Sequence, residues 1–585
     1  MGAAERDRYR ARILTAVTTF DLVVRGGTVI DGTGASERTA DVAITAGRIV
    51  EVGNVAGRGH RELDVAGALV TPGFVDVHTH YDGQATWDSR LQPSSDNGVT
   101  TVVAGNCGVG FAPVRADDHD LLVELMEGVE DLPGTVLHEG LSWEWESIGD
   151  YLDALAARPY DIDLATQVCH APVRVYVMGR RGADRDAATA EEIAEMGRIA
   201  AEGVRAGALG FSTSRTLNHR TSRGEPTPTL TAARAELVGI AAAIGATDRG
   251  VLQVVSDFTD GEAENETLLE MMRASKRPLS ISLLQVAPGT GYRSKLELLD
   301  RAQAEGLAMR AQVAARAVGV LLGLQASLNP LKGTPSFRAV ADLPLPEQAR
   351  ILGQPEQRER LVAEVGEAGM RLPLDRIFDL GNPPGYEPRP EGSVAATASR
   401  IGVAPHELLV DLLLRDGGRA LLYLPFLNYF DGSLDAAAEM LAHPFTVPGL
   451  GDGGAHVGTI CDGSFPTSLL THWGRDRERG PRFELPFLVQ RQSRSTAEAV
   501  GLLDRGVLAP GYKADINVID FDHLHLAPPE MAYDLPAGGK RLLQKAHGYV
   551  HTFVSGVETY ADGAATGELP GRFVRGQQDD PSKER

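Results

Sequence analysis

Three cysteines in 585 residues are too few for a disulfide framework. Cys107, Cys169 and Cys461 are therefore expected as free thiols, with a reducing cytoplasm as the default compartment. In that setting a thiolate stays available as a metal ligand. No apolar run of transmembrane length is present, and the start, MGAAERDRYRARI, lacks the long apolar segment of a signal peptide. Positive charge is in deficit: 57 Lys and Arg against 79 Asp and Glu give a formal net charge of -22. That balance argues against a nucleic-acid partner, whose phosphates it would repel. No dinucleotide-binding glycine fingerprint follows the first strand of the central region, which weighs against an open doubly wound sheet. The partner left by these absences is a small-molecule substrate, and a homo-oligomer is compatible with them.

What is there is globular in character, with 43% hydrophobic residues and 66 glycines, many in turn-like settings. The length calls for one large domain and a smaller one. FDLVVRGGTVIDGTGASERTADVAITAGRIVEVG reads as a meander of short strands, and the texture returns near the end in PGYKADINVIDFDHL and GYVHTFVSGVETYADG. A lone terminal meander would leave a sheet face unburied. The expectation is one small β-sandwich built from both termini, residues 1–70 and 505–585. Between them, over 71–504, short apolar runs alternate with helical stretches such as TAEEIAEMGRIAAEGVRAG. The strand-like runs are GFVDVH, TTVVAG, DLATQV, ALGFST, VLQVVS, SISLLQ, MRAQV and TVPGLGD. The fold class read from this alternation is α/β, a (β/α)8 TIM-like barrel. A helical insertion at about 340–440, including HELLVDLLLRD, falls between the seventh and eighth runs.

A closed barrel of this kind carries its chemistry at the C-terminal ends of its strands. The first end reads TPGFVDVHTHYDG, where His78 and His80 alternate and so share a face, with Asp76 on the same face to orient a ligand. The second end supplies Cys107 in AGNCGVG, and the third Cys169 and His170 in QVCHAP. The fourth supplies Ser212, Arg215 and His219, with Arg220 and Arg223 following in TSRTLNHRTSRGEP. The eighth supplies Asp452 and His456 in GLGDGGAHVG. Paired imidazoles with a thiolate suit a divalent metal, zinc above all. A carboxylate such as Asp452 can ligate, or can take a proton from water. His170 is a candidate ligand or donor to a substrate oxygen, and guanidinium groups such as Arg215, Arg220 and Arg223 fork onto carboxylates. Plainer readings stand beside these: a loop histidine pair, an Asx turn before the glycines, a cysteine packed as a small hydrophobe and a solvated arginine loop.

Taken together, DLVVRGGTVIDGTG, ALVTPGFVDVHTHYDGQATWD, GVTTVVAGNCGVGFAPVR, GALGFSTSR, GDGGAHVG and PGYKADINVIDFD resemble the amidohydrolase superfamily. More narrowly they resemble its N-acyl-D-amino-acid deacylase, or D-aminoacylase, branch. The resemblance implies a metal-dependent barrel flanked by a composite β domain and hydrolysis of the amide in an N-acyl-D-amino acid. It matches His78, His80 and Cys107 to metal ligands and Asp452 to the general acid/base, with the cysteine in the place of a bridging carboxylated lysine. The chain departs from the pattern at the ends of strands five and six, where the family has histidines. Here they read VLQVVSDFTD and SISLLQVAPG, with Asp257 and Gln285 the nearest polar residues. One firmly held ion is therefore expected, on His78, His80 and Asp452 with Cys107 beside it, and His170 or His219 as the reserve. Competing readings are a hydantoinase-like cyclic amidohydrolase and a non-catalytic binding barrel with a degenerate metal site.

Overall fold

The computed structural model describes residues 19–367 and 372–584. The start MGAAERDRYRARI, and residues 368–371 of the insertion, lie outside them.

All eight strand-like runs are parallel strands of a distorted barrel. They are Phe74–Asp76, Val99–Ala104, Asp163–Thr166, Gly210–Arg215, Val251–Ser256, Leu279–Leu283, Met309–Val313 and Thr446–Pro448. Hydrogen bonding divides them into two arcs, one of the first three strands and one of the other five, which the short strand Val168–Cys169 extends to six. A break at Gln167 separates Asp163–Thr166 from Val168–Cys169, and the amide of Leu209 bridges it by donating to the Thr166 carbonyl at 2.8 Å. The other seam closes beyond the eighth strand, where Thr79 and Gly453 form a parallel bridge and His80 N donates to Gly453 O at 2.8 Å. The strands are almost wholly buried, as a parallel sheet covered on both faces requires.

Helices cover the barrel where the apolar spacing calls for them. Ala190–Ala206 starts at a reciprocal capping box between Thr189 and Glu192 and turns Met196, Ile199, Ala200 and Val204 inward. Arg234–Gly245, Glu262–Ser275 and Arg293–Ala304 follow the fourth, fifth and sixth strands.

Between the seventh and eighth strands the chain leaves the barrel. Val318–Leu322, Phe378–Asp379 and Leu422–Leu427 form a small antiparallel sheet, with helices that include Leu345–Leu352, Pro355–Glu367 and Pro405–Gly418 packed on it. Leu331, Phe337, Leu361, Leu409, Leu413 and Leu422 give this insertion a core of its own.

The two termini share one nine-stranded mixed sheet. Its halves meet where Leu69–Pro72 pairs antiparallel with Ile516–Ile519, Val70 opposite Val518. Leu22, Val24, Val42, Ile44, Val70, Ile516 and Phe553 form a core enclosed by strands from both ends of the sequence. Arg505 anchors this unit to the barrel: its Nη1 donates to Asp163 Oδ2 at 2.7 Å and to Thr101 Oγ1 at 2.8 Å, all three buried. From the same C-terminal segment the hairpin Glu530–Leu535 and Gly539–Leu543 reaches the barrel mouth, where Leu542 N donates to Val457 O at 2.7 Å.

Candidate metal centre

The first strand ends at Asp76, and the chain runs on through His78 and His80, each only 1% exposed. Asp452 lies across the seam because the GDGGAH loop pairs with this segment: Asp452 N donates to His78 O at 3.1 Å. That approach depends on glycine. A Cβ at Gly454 would sit 2.9 Å from the His80 carbonyl oxygen, and one at Gly453 only 2.4 Å from Ser94 Oγ. Asp452 and His456 themselves adopt positive φ, 45° and 50°, a costly conformation for residues with a Cβ.

Cys107 arrives from the second strand through a turn that is also left-handed, with φ of 56°. The turn is pinned to the fourth strand, since Ser212 Oγ donates to Gly105 O at 2.5 Å and accepts from Gly108 N at 3.1 Å. Asn106 Nδ2 donates to Thr79 O at 3.1 Å and ties it to the histidine segment.

His78, His80 and Cys107 each offer a ligand atom, and these atoms lie within 4.8 Å of one another. Cys107 Sγ is 3.4 Å from His78 Nε2. Asp452 Oδ1 is 3.4 Å from His78 Nε2 and 3.6 Å from His80 Nε2. A tetrahedral shell with zinc bonds of about 2.0–2.3 Å spaces its donors about 3.3–3.8 Å apart. The donor set thus fits a divalent cation in chemistry and in spacing. Both ring nitrogens of His80 are buried without a hydrogen-bond partner, which a protein interior rarely tolerates.

The two rings differ in their electrostatics. Burial pushes His78 down to about 4, leaving a neutral ring with a free lone pair. Burial also disfavours charge on His80, but Glu130, Asp452 and Cys107 together hold its pKa well above the usual value. Burial alone would raise Asp452, yet the neighbouring His80 and His78 rings keep it well below the carboxylate range. Burial pushes the Cys107 thiol up to about 12, so a thiolate there needs a cation beside it.

The remaining candidates divide. His219 lies half-buried within the electrostatic reach of the site: Ser214 Oγ holds its Nδ1 at 2.8 Å, and desolvation, with the charges of His80 and His456, lowers its pKa to about 3. His456 reaches it too, with a third of its side chain exposed at the mouth. His170 does not; it is fully buried between Thr213 Oγ1 at 2.8 Å and Glu236 Oε1 at 3.0 Å. The arginines expected at a substrate carboxylate are engaged elsewhere. Arg215 pairs with Glu264 at 3.0 Å, Arg220 donates to Gly224 O at 2.9 Å, and Arg223 pairs with Glu124 on the surface. Cys169 and Cys461 are buried and free. At the fifth and sixth strand ends, Asp257 accepts from Thr216 Oγ1 at 2.6 Å and Gln285 donates to Asp431 at 2.7 Å, so neither turns to the histidines. Asp76 serves the backbone rather than a ring: its Oδ1 accepts from His78 N at 3.1 Å, and burial pushes its pKa up to about 7.

Two residues that sequence reasoning passed over stand behind the histidine rings. Gln312 Oε1, from the seventh strand, is 2.5 Å from His78 Nδ1. Glu130 Oε1, from the last turn of the helix His119–Glu130, is 3.3 Å from His80 Nδ1. A surface cavity lined by Asp379, Arg415, Arg419 and Glu530 among others shares no residue with this cluster. Only a narrow crevice, lined by Gln84, Gln92, Asp462 and Arg541 among others, lies beside Asp452.

The sequence profile of the amidohydrolase family matches residues 61–560. D-aminoacylase of Alcaligenes xylosoxydans xylosoxydans is 40% identical over 195 residues, which span 33% of this chain and 37% of that protein. The uncharacterised protein Rv2913c of Mycobacterium tuberculosis is 27% identical over 551 residues, 87% of this chain and 86% of its own length. Among solved structures, D-aminoacylase, described as having a binuclear metal centre with one-metal activation and second-metal attenuation, superposes with a TM-score of 0.64 at 25% identity. That match covers 95% of this chain and 100% of the other. N-acyl-D-glutamate deacylase of Bordetella bronchiseptica, complexed with zinc and a phosphonate mimic of the tetrahedral intermediate, gives 0.63 at 25% identity over the same shares of the two chains. The chain belongs to the amidohydrolase family, on its D-aminoacylase and deacylase branch, with its candidate metal ligands gathered at the first two strand ends rather than the fifth and sixth.

Proposed function

We propose that this protein is a metal-dependent hydrolase of the amide bond in N-acyl-D-amino acids or related N-acyl compounds. The observation that carries the reading is the convergence of His78, His80, Cys107 and Asp452 at ligand spacing, on a barrel that superposes on two D-amino-acid deacylases. The sequence expectation puts one ion on His78, His80 and Asp452 with Cys107 beside it; the spacing of the donor atoms instead favours His78, His80 and Cys107 as what would hold one zinc ion, with Asp452 facing its remaining position. When bound, such an ion polarises a carbonyl oxygen and makes water more acidic.

The chain's own groups supply the rest. Asp452, held ionised by its neighbours, accepts the proton of the attacking water at Oδ1 or Oδ2 and returns it to the leaving nitrogen. His219, neutral because burial lowers its pKa to about 3, offers its free ring nitrogen to a substrate oxygen. His78 and His80 lie at the closed floor, and Asp452 and His456 border the open side, so substrate approaches past those two. The net charge of -22 supports a small-molecule substrate over a nucleic acid, and the buried free cysteines suit a reducing cytoplasm.

The test is one activity panel on zinc-loaded protein: N-acyl-D-amino acids, their L-enantiomers and cyclic ureides. Turnover of D-configured linear amides is the expected result. Turnover confined to cyclic ureides would move the assignment to a ring-opening hydrolase, and no turnover by metal-loaded protein would count against catalysis.

A further inference from the structure

Glu130 is placed where a carboxylate costs stability. It is 1% exposed, and burial raises its pKa. It ends the helix His119–Glu130, whose C-terminal dipole disfavours an anion, and that last turn carries no basic residue. The next residue, Asp131, caps the helix in the left-handed region at φ of 50° without being glycine. Glu130 Oε1 has no hydrogen-bond partner and instead faces His80 Nδ1, a nitrogen equally without one. Its Oε2 lies 3.6 Å from His456 Nε2, and its backbone carbonyl accepts from His456 N. Such a conjunction of local penalties marks a residue kept for a site rather than for packing.

His78 shows what the contact does. Gln312 Oε1 accepts at His78 Nδ1, which leaves Nε2 as the lone-pair nitrogen facing Cys107 and Asp452. Glu130 stands in the corresponding place behind His80, whose Nε2 faces the same Asp452 oxygen. The two supports differ in charge. An anionic acceptor makes the ring a stronger donor to a metal than a neutral amide does, and such partners set ring tautomer and orientation.

We propose that Glu130 is the positioning residue of this metal centre: its Oε1 accepts the Nδ1 proton of His80, aiming Nε2 at the ion, while its other oxygen and its backbone carbonyl fasten the His456 end of the Asp452 loop over the site. The inference rests on the metal-centre reading above. It adds a carboxylate from the helix after the second strand, outside every strand end, and it accounts for how two histidines without fifth- and sixth-strand partners hold an ion firmly.

The test compares wild type with Glu130→Gln and Glu130→Ala in the full-length protein. Zinc affinity is read by competition with a chromophoric chelator, ligand geometry by the visible bands of the cobalt-substituted protein, and folding by near-ultraviolet circular dichroism. Glu130→Gln keeps an acceptor oxygen and the shape, so it should weaken zinc several-fold with the cobalt bands unchanged. Glu130→Ala should weaken it by about 10–100-fold, the ordinary cost of losing such a support. Wild-type affinity in a folded Glu130→Gln variant would overturn the proposal. A Glu130→Gln loss as deep as that of Glu130→Ala, with the cobalt bands altered, would also overturn it, because Glu130 would then be a direct ligand. Wild-type protein that fails to bind zinc would instead defeat the metal-centre reading beneath it.

Discussion

Asp452 is the residue on which the proposed chemistry turns, and its backbone makes it a clean target. Its φ of 45° lies where asparagine is among the best tolerated residues, so Asp452→Asn should fold as the wild type does. The amide cannot accept the water proton. The chemical step should fall by about 10²–10⁴, while zinc content, held by His78, His80 and Cys107, stays near wild type. Single-turnover kinetics beside metal analysis separate the two, and an asparagine variant with near-normal turnover would remove Asp452 from the role. At this scale the site was unevenly legible. His78, His80 and Asp452 stand at the ends of apolar strands among small residues, which makes them readable. Glu130 sits in HDLLVELMEGVE, where one more acidic residue on an amphipathic helix carries no signal until the helix end is seen against His80. Arg215 and Arg223 read as substrate cations because their partners, Glu264 and Glu124, are 49 and 99 residues away in sequence.

At the scale of elements, the insertion after the seventh strand is fastened to the barrel by Glu387. Its Oε1 accepts from Leu434 N at 2.9 Å, and its Oε2 is 3.0 Å from His472 Nε2 and 3.2 Å from Arg477 Nε. Burial favours the neutral acid, but the hydrogen bonds from His472 and Arg477 bring the pKa down to about 2. A carboxylate lowered in the folded state contributes stability above the unfolded value of about 4.3, and that contribution is lost as pH falls toward the folded value. Glu387→Gln should therefore cost about 1–3 kcal/mol at neutral pH, since it leaves the buried Arg477 guanidinium short of an anion. The gap to wild type should close as pH drops from about 4.3 toward 2. Thermal melts of both proteins across that range check it, and a gap independent of pH would assign the loss to packing instead. The barrel strands were legible because a parallel sheet buried on both faces needs continuous apolar runs, as in TTVVAG and MRAQV. The small sheet Val318–Leu322, Phe378–Asp379 and Leu422–Leu427 was not, since its strands are separated in sequence by helices that dominate the local pattern.

At the scale of the whole molecule, the chain's ends and the barrel form a single support for one site. The terminal sheet is fastened below through Arg505 and Asp163, and the C-terminal hairpin meets the Asp452 loop above through Leu542 and Val457. Closure of the barrel and assembly of the donors are one event, because the pairing of Thr79 with Gly453 that seals the seam also carries Asp452 over His78 and His80. The terminal texture in the sequence pointed to a shared β unit. The pairing of Val70 with Val518 could not be read there, because register between strands so far apart is set by packing in the folded chain. The central claim is a single ion on His78, His80 and Cys107 with Asp452 beside it. Crystals of the zinc-loaded protein, measured for anomalous scattering on both sides of the zinc edge, test it most directly. The account predicts one full-occupancy peak per chain within bonding distance of His78 Nε2, His80 Nε2 and Cys107 Sγ. Two full-occupancy peaks bridged by the Cys107 sulfur, or no peak at the histidines, would contradict it.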